Sequence, residues 1–172
     1  MLALHKIIRL AIFVSLANLI WSEISLAGPP TGPNKNDCKN ALTAIKIQDI
    51  NFGEFLGGIG GTITIATNGS RTSGGGVVLM GGSTTAAIFE VYSSLPGCEV
   101  YPVTIKTPNN STLTEPIGNT MLANNFVTLP ASGFTIIPGI PTLVQVGADL
   151  TVNATQAGGT YVTLAPYTLT FR

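Results

Sequence analysis

Apolar residues along this chain fall into short runs with a period of two, broken roughly every ten positions by glycine, proline, asparagine or serine. That rhythm predicts strands. The first run spans Ala41 to Ile50 and holds Ile45-Lys46-Ile47, an in–out–in alternation. Thr62 to Thr67 alternates more strictly and leads into Asn68-Gly69, a strong hairpin dipeptide. Val77 to Met80 and Ala86 to Tyr92 follow as strands, the first framed by glycines. Val100 to Lys106 reads as a strand whose Pro102 pushes its start to an edge or a bulge. After a turn at Pro108-Asn109-Asn110 come Met121 to Leu129 and the shorter Phe134 to Ile137. Leu143 to Val146 and Leu150 to Val152 read as two strands joined by a bulge or tight connection at Gly147-Ala148-Asp149. Gln156 to Gly159 turns the chain into a last strand region, Thr160 to Phe171, split or bent at Pro166. No helical period is sustained beyond the N-terminal segment, and no repeat of fixed length is present. The expectation is an all-β sandwich or barrel.

The N-terminus obeys a different pattern. His5, Lys6 and Arg9 precede a largely apolar run, Leu10 to Trp21, which ends at Ser25-Leu26-Ala27. A charged start, a short apolar stretch and small residues at a cleavage point define a secretory signal. A spanning helix needs about 20 apolar residues, and this run is shorter and closely followed by Glu23. Residues 1–27 are therefore expected to be a signal peptide, with no retained membrane helix. Residues 28–40 form a Pro/Gly-rich leader, of which 28–37 are read as loose. Residues 41–172 form a single domain. The protein is expected to be exported, to a periplasm, a cell surface or the extracellular space.

Charge changes the picture next. The residues after Ala27 carry six basic and seven acidic side chains, a formal charge of −1. Thirteen charged side chains in these 145 residues are far below the roughly 25% of an ordinary domain. Such a chain offers no basic field to nucleic acid or anionic lipid. Cys38 and Cys98 are the two cysteines of the chain. In an oxidising compartment the default is one Cys38–Cys98 disulfide. Two lone cysteines without histidine make a poor metal site.

Candidate chemistry is sparse. The sole histidine, His5, lies in the expected signal, so no imidazole base serves a Ser-His or Cys-His pair. Asp37, Asp49, Glu54, Glu90, Glu99, Glu115 and Asp149 are scattered singly, with none of the clustering that calcium or a paired-carboxylate hydrolase requires. The glycine-rich stretches 57–61 and 74–76 lack the Gly-Lys-Ser/Thr ending of a phosphate loop. Asn-x-Ser/Thr triplets at Asn68, Asn109, Asn110 and Asn153 read as turns and strand threonines. Tyr92, Tyr101, Tyr161 and Tyr167 are candidates for a sugar-stacking surface, against the commoner role of tyrosine in strand packing. No catalytic, cofactor or metal site is expected, and the chain is read as a non-enzyme.

Several segments together carry a resemblance. They are Asn51-Phe52-Gly53, the alternating Thr62 stretch ending in Arg71-Thr72, Gly74 to Leu79, Ala86 to Val91, Val146-Gly147-Ala148-Asp149-Leu150, and Gly159-Thr160-Tyr161. In that order they resemble the bacterial secreted domain-of-unknown-function family 4402, from about Ala41 to Arg172. The family is similar to pilin and spore-coat β-sandwiches. The resemblance implies an immunoglobulin-like, Greek-key β-sandwich of about 7–9 short strands with a structural or adhesive role. The cysteine pair and Ala165-Pro166 depart from the family's pattern. Two functions follow as expectations. One is a pilin-like or surface-coat subunit assembling through β-sheet edges, with other copies of itself or surface proteins as partners. The other is a stand-alone secreted module binding glycans or host surfaces.

Overall fold

The structure is a computed structural model and describes residues 32–157, 161–163 and 170–171. The expected signal peptide, the Gly158-Gly159 turn, Pro166 and Tyr167 lie outside these residues. The fold below is that of the compact unit beginning at Pro33.

The unit is nearly all β and antiparallel. It opens with a short helix, α1, Lys35–Asn40. Among the described residues twelve strands follow: β1 Thr43–Gln48, β2 Phe55–Leu56, β3 Gly61–Ile65, β4 Arg71–Gly75, β5 Val78–Leu79, β6 Ala87–Tyr92, β7 Ile105–Lys106, β8 Asn110–Thr114, β9 Thr120–Leu129, β10 Thr142–Val152, β11 Val162–Thr163 and β12 Thr170–Phe171. Five of them are two-residue pairings, and the seven longer ones match the expected scale.

β10 organises the main sheet. On one side it pairs with β9 along most of its length. On the other side it is shared. Thr142 to Val146 pair with β6, and Ala148 to Val152 pair with β3. β6 continues to β1, β3 to β4, and β9 to β8 and β11. Alternation then decides the core. Val144, Val146, Ala148, Leu150 and Val152 all turn to one buried face of β10. Two apolar clusters form on that face. One gathers Ile63, Ile65, Met121, Ala123 and Leu150 under Phe52 and Val77, beside the β2–β5 ribbon. The other gathers Ala87, Phe89, Val91, Val144 and Val146 under Val103, Ile105 and Ile136, where β7 pairs with β12. The result is sandwich-like: one broad sheet faces a second layer broken into short ribbons.

Several local outcomes differ from the sequence pattern. The stretch expected to be two strands around Gly147-Ala148-Asp149 is one continuous strand, and the irregularity lies in its neighbour. Between the Gly147 and Asp149 pairings, β9 spends one residue more than β10. Asn125 takes a left-handed φ of 50° there. This bulge moves the core-facing positions of β9 from the buried Met121 and Ala123 to the half-buried Phe126 and Thr128. Val100 to Lys106 is not a strand: a 3₁₀ turn at Cys98–Val100 precedes a lone bridge from Val103 and the two-residue β7. Phe134 to Ile137 likewise contributes single bridges. β8 arises just after the expected turn, in a stretch to which the sequence pattern assigns no strand, because Asn110 to Thr114 pair in register with Thr120 to Asn124. The part of the leader read as loose contains the first turn of α1. Asn34 Oδ1 accepts from Asn36 N at 2.8 Å and Asp37 N at 3.2 Å, and Asp37 Oδ2 accepts from Asn34 N at 3.0 Å. This capping box stabilises a helix too short to hold itself.

Candidate functional site

The disulfide expected from the cysteine count is present. Cys38 and Cys98 are bonded and buried, and their Cα atoms lie 5.4 Å apart. Its location follows from the ladder. Cys38 precedes β1 and Cys98 follows β6, and the β1–β6 pairing begins with Thr43 opposite Tyr92. The bond therefore closes the ladder that holds β1. A cleft of about 300 Å³ beside it is lined by Lys35, Lys39, Leu42, Tyr101 and Ile136.

Five of the seven candidate carboxylates take up structural partners. Asp37 caps α1, and Lys46 Nζ lies 2.6 Å from Asp49 Oδ1 on the surface. Glu99 accepts from Gly97 N. Glu115 is buried and accepts from Ile117 N, Asn119 N and the Asn119 amide, closing the β8–β9 turn. Asp149 bridges three strands, accepting from Thr64 Oγ1 at 2.6 Å and from Asn125 Nδ2 at 2.9 Å. Among the described residues, no group of three or more His, Cys, Asp or Glu is placed to hold a metal ion. Among the described residues, the three tyrosines are not gathered on one surface. Tyr92 ends β6, Tyr101 lines the disulfide cleft, and Tyr161 lines a separate, larger one.

That larger cleft, about 490 Å³, opens between the main sheet and the β2–β5 ribbon, with Phe52, Phe55, Met121, Leu150, Gln156 and Tyr161 on its walls. Tyr161 Oη donates to Ala157 O at 2.8 Å and accepts from Gln156 Nε2 at 2.7 Å, and Gln156 Nε2 also donates to Thr120 O. The Thr120 carbonyl can only accept, so the amide orientation is fixed. Arg71 holds the ribbon from the far side. Its Nη1 donates to Phe52 O at 3.0 Å and Glu54 O at 3.1 Å, and its Nη2 to Met80 O at 2.7 Å. Sequence reading missed this latch, because its partners are all backbone carbonyls, which leave no side-chain signature.

Among the described strands, β1 lies at one end of the main sheet. It pairs with β6 alone among the described strands, so its other side is a sheet edge. Thr43 to Ile47 are all exposed, on both faces of the strand. The expected in–out–in burial of Ile45-Lys46-Ile47 therefore does not occur. The second layer does not reach this strand, and a register shift between Lys46 and Gln48 interrupts the alternation. β4 is a second one-sided strand, but its Gly74 and Gly75 make a weak template.

No helix among the described residues is long and apolar enough to cross a membrane. A family model described as a domain of unknown function, DUF4402, matches residues 42–170. No curated protein and no solved structure matches the chain.

Proposed function

Since the chain belongs to the DUF4402 family, we propose that it is an exported, non-enzymatic structural protein, a pilin-like or surface-coat subunit that assembles or adheres through its sheet edge. The observation that carries this reading is β1, an edge strand exposed on both faces and tied down by a disulfide. An open edge offers unpaired N–H and C=O groups to a strand from a neighbour. Stapling that edge keeps it in register while it waits for a partner. The buried disulfide supports an oxidising destination, in keeping with the signal-like N-terminus. Lys46 limits uncontrolled pairing, as charged residues do on natural edges. The rival reading, a stand-alone glycan-binding module, draws less support, because Tyr92, Tyr101 and Tyr161 occupy separate places.

Negative-stain microscopy and size exclusion of the purified protein, at rising concentration, test the edge. Ordered oligomers or filaments are expected, and Ile47→Lys on β1 should suppress them without changing the circular dichroism spectrum. A protein that stays monomeric throughout and adheres to no cell-surface fraction, or that turns over a substrate, overturns the reading.

A further inference from the structure

The ladder registers place a second set of residues together, on the face of the main sheet opposite the core. One row across that face is Ile45, Glu90 and Leu143, and the next is Gln48, Ile88, Gln145 and Leu129. Val127 follows, opposite Gly147. Leu143, Leu129 and Val127 are 54%, 54% and 53% exposed, and Ile45 is 44% exposed. Isolated exposed aliphatics need no explanation, but a contiguous patch on one sheet face does.

The same strands behave differently at their other ends. Beyond the bulge this face reads Thr72, Thr64, Asp149, Asn124 and Asn110 in one row, and Thr62, Thr151, Leu122 and Thr112 in another. That half is what a hydrated antiparallel sheet face shows. The sheet is therefore polar outside across β3, β8 and the far end of β10, whereas across β1, β6 and the near end of β10 exposed aliphatics stand among Thr43, Gln48, Glu90 and Gln145. β9 crosses from one half to the other at Asn125. A face that only met water would have no reason to change character there.

We propose that the aliphatic patch of this second half, centred on Leu143 and flanked by Ile45, Val127 and Leu129, docks face to face on the same patch of a second copy of the chain. The inference rests on the reading of the chain as an assembling subunit, and it assigns that assembly a second surface distinct from the β1 edge. The area is enough for a second copy to be the occupant. Half of four large aliphatic side chains, with the half-open Ile88, Tyr92 and Gln145 at the border, amounts to roughly 400–600 Å² per copy. A two-fold contact uses the patch twice and buries about 800–1,200 Å² in all, the lower boundary of a specific interface. Such a contact supports a dimer with a Kd on the order of micromolar. The one carboxylate within the patch, Glu90, meets its own copy's field in a two-fold pairing, which weakens the dimer and sets a signed test.

Sedimentation velocity of the purified protein, from about 1 to about 500 μM, should show a reversible monomer–dimer equilibrium. Leu143→Glu and Leu129→Lys should each weaken it by tenfold or more, since each buries an unpaired charge. Thr112→Glu, on the polar half, should leave it unchanged. Glu90→Gln should tighten it several-fold by removing like-charge repulsion, a gain that docking on an unrelated partner would not produce. A protein that stays monomeric over the whole range overturns the proposal, as does a dimer indifferent to Leu143→Glu in a variant whose unfolding midpoint is unchanged. The two surfaces separate cleanly. If Ile47→Lys abolishes assembly and Leu143→Glu does not, the edge reading survives and the face reading falls. If Leu143→Glu abolishes assembly and Ile47→Lys does not, the face reading survives and the edge reading falls.

Discussion

Gly147 shows how one residue can carry a whole junction. It sits on β10 between the stretch paired with β6 and the stretch paired with β3. A Cβ added there would lie 2.9 Å from the Ala66 carbonyl carbon and closer still to Ile65 O. Both are backbone and cannot swing aside. Gly147→Ala should therefore destabilise the domain by about 2–4 kcal/mol, read as a drop in the urea midpoint at unchanged slope. Arg71 is the second such residue. Its fork serves three carbonyls from two segments, a geometry that an ammonium cannot reproduce. Arg71→Ala should cost about 2 kcal/mol and Arg71→Lys most of that. The loss should be local, with faster amide exchange at Met80, which donates to Glu54 O, and at Glu54, which donates to Gly81 O. Val146-Gly147-Ala148 and Arg71-Thr72 were both visible as landmarks in the sequence. Their physical reason was not, because each acts on backbone brought in from far along the chain.

Among the elements, β9 and β10 illustrate what period-two reading can and cannot do. Alternation located β9 and the two ends of β10, but split β10 at Gly147-Ala148-Asp149 where the strand is continuous. It could not locate the extra residue, since a bulge belongs to a pair of strands and not to either one alone. Asn125 occupies it at a backbone angle that favours asparagine or glycine. Asn125→Val should cost about 1–2 kcal/mol from backbone strain alone, and more than Asn125→Gly, which loses only the bond to Asp149. Thermal unfolding of the two variants checks the order. The Cys38–Cys98 staple is the other element-level device. On the chain-entropy model, a loop of its length, sequence separation 60, is worth on the order of 4 kcal/mol. Reduction should lower the unfolding temperature. Before global unfolding, it should raise amide exchange first in α1 and β1, neither of which supplies a residue to either core cluster. Uniform exchange across the sheet after reduction would contradict that placement.

For the molecule as a whole, low charge and a broken second layer have a shared consequence. A chain with so few charged side chains has little long-range repulsion to keep copies apart, and its assembly should be nearly independent of ionic strength. Raising sodium chloride from about 50 mM to about 500 mM, where screening becomes nearly complete, should shift the association constant by less than a few-fold. A steep loss of association would mean that ion pairs, and not backbone edges and apolar surface, hold the copies together.

Composition, alternation and the cysteine count determined the all-β class, most of the strands, the disulfide and the lack of an imidazole base beyond His5, because each depends on local periodicity or on residue types that the chain either has or lacks. Sheet order did not follow from them. That β10 would be shared by β6 and β3, that Ile45 and Ile47 would be exposed, and that one face would gather exposed aliphatics in one half depend on which strands become neighbours. Neighbour choice is set by long-range pairing and loop closure, in which residues as far apart as Thr64 and Asp149 meet. No local pattern along the chain encodes that.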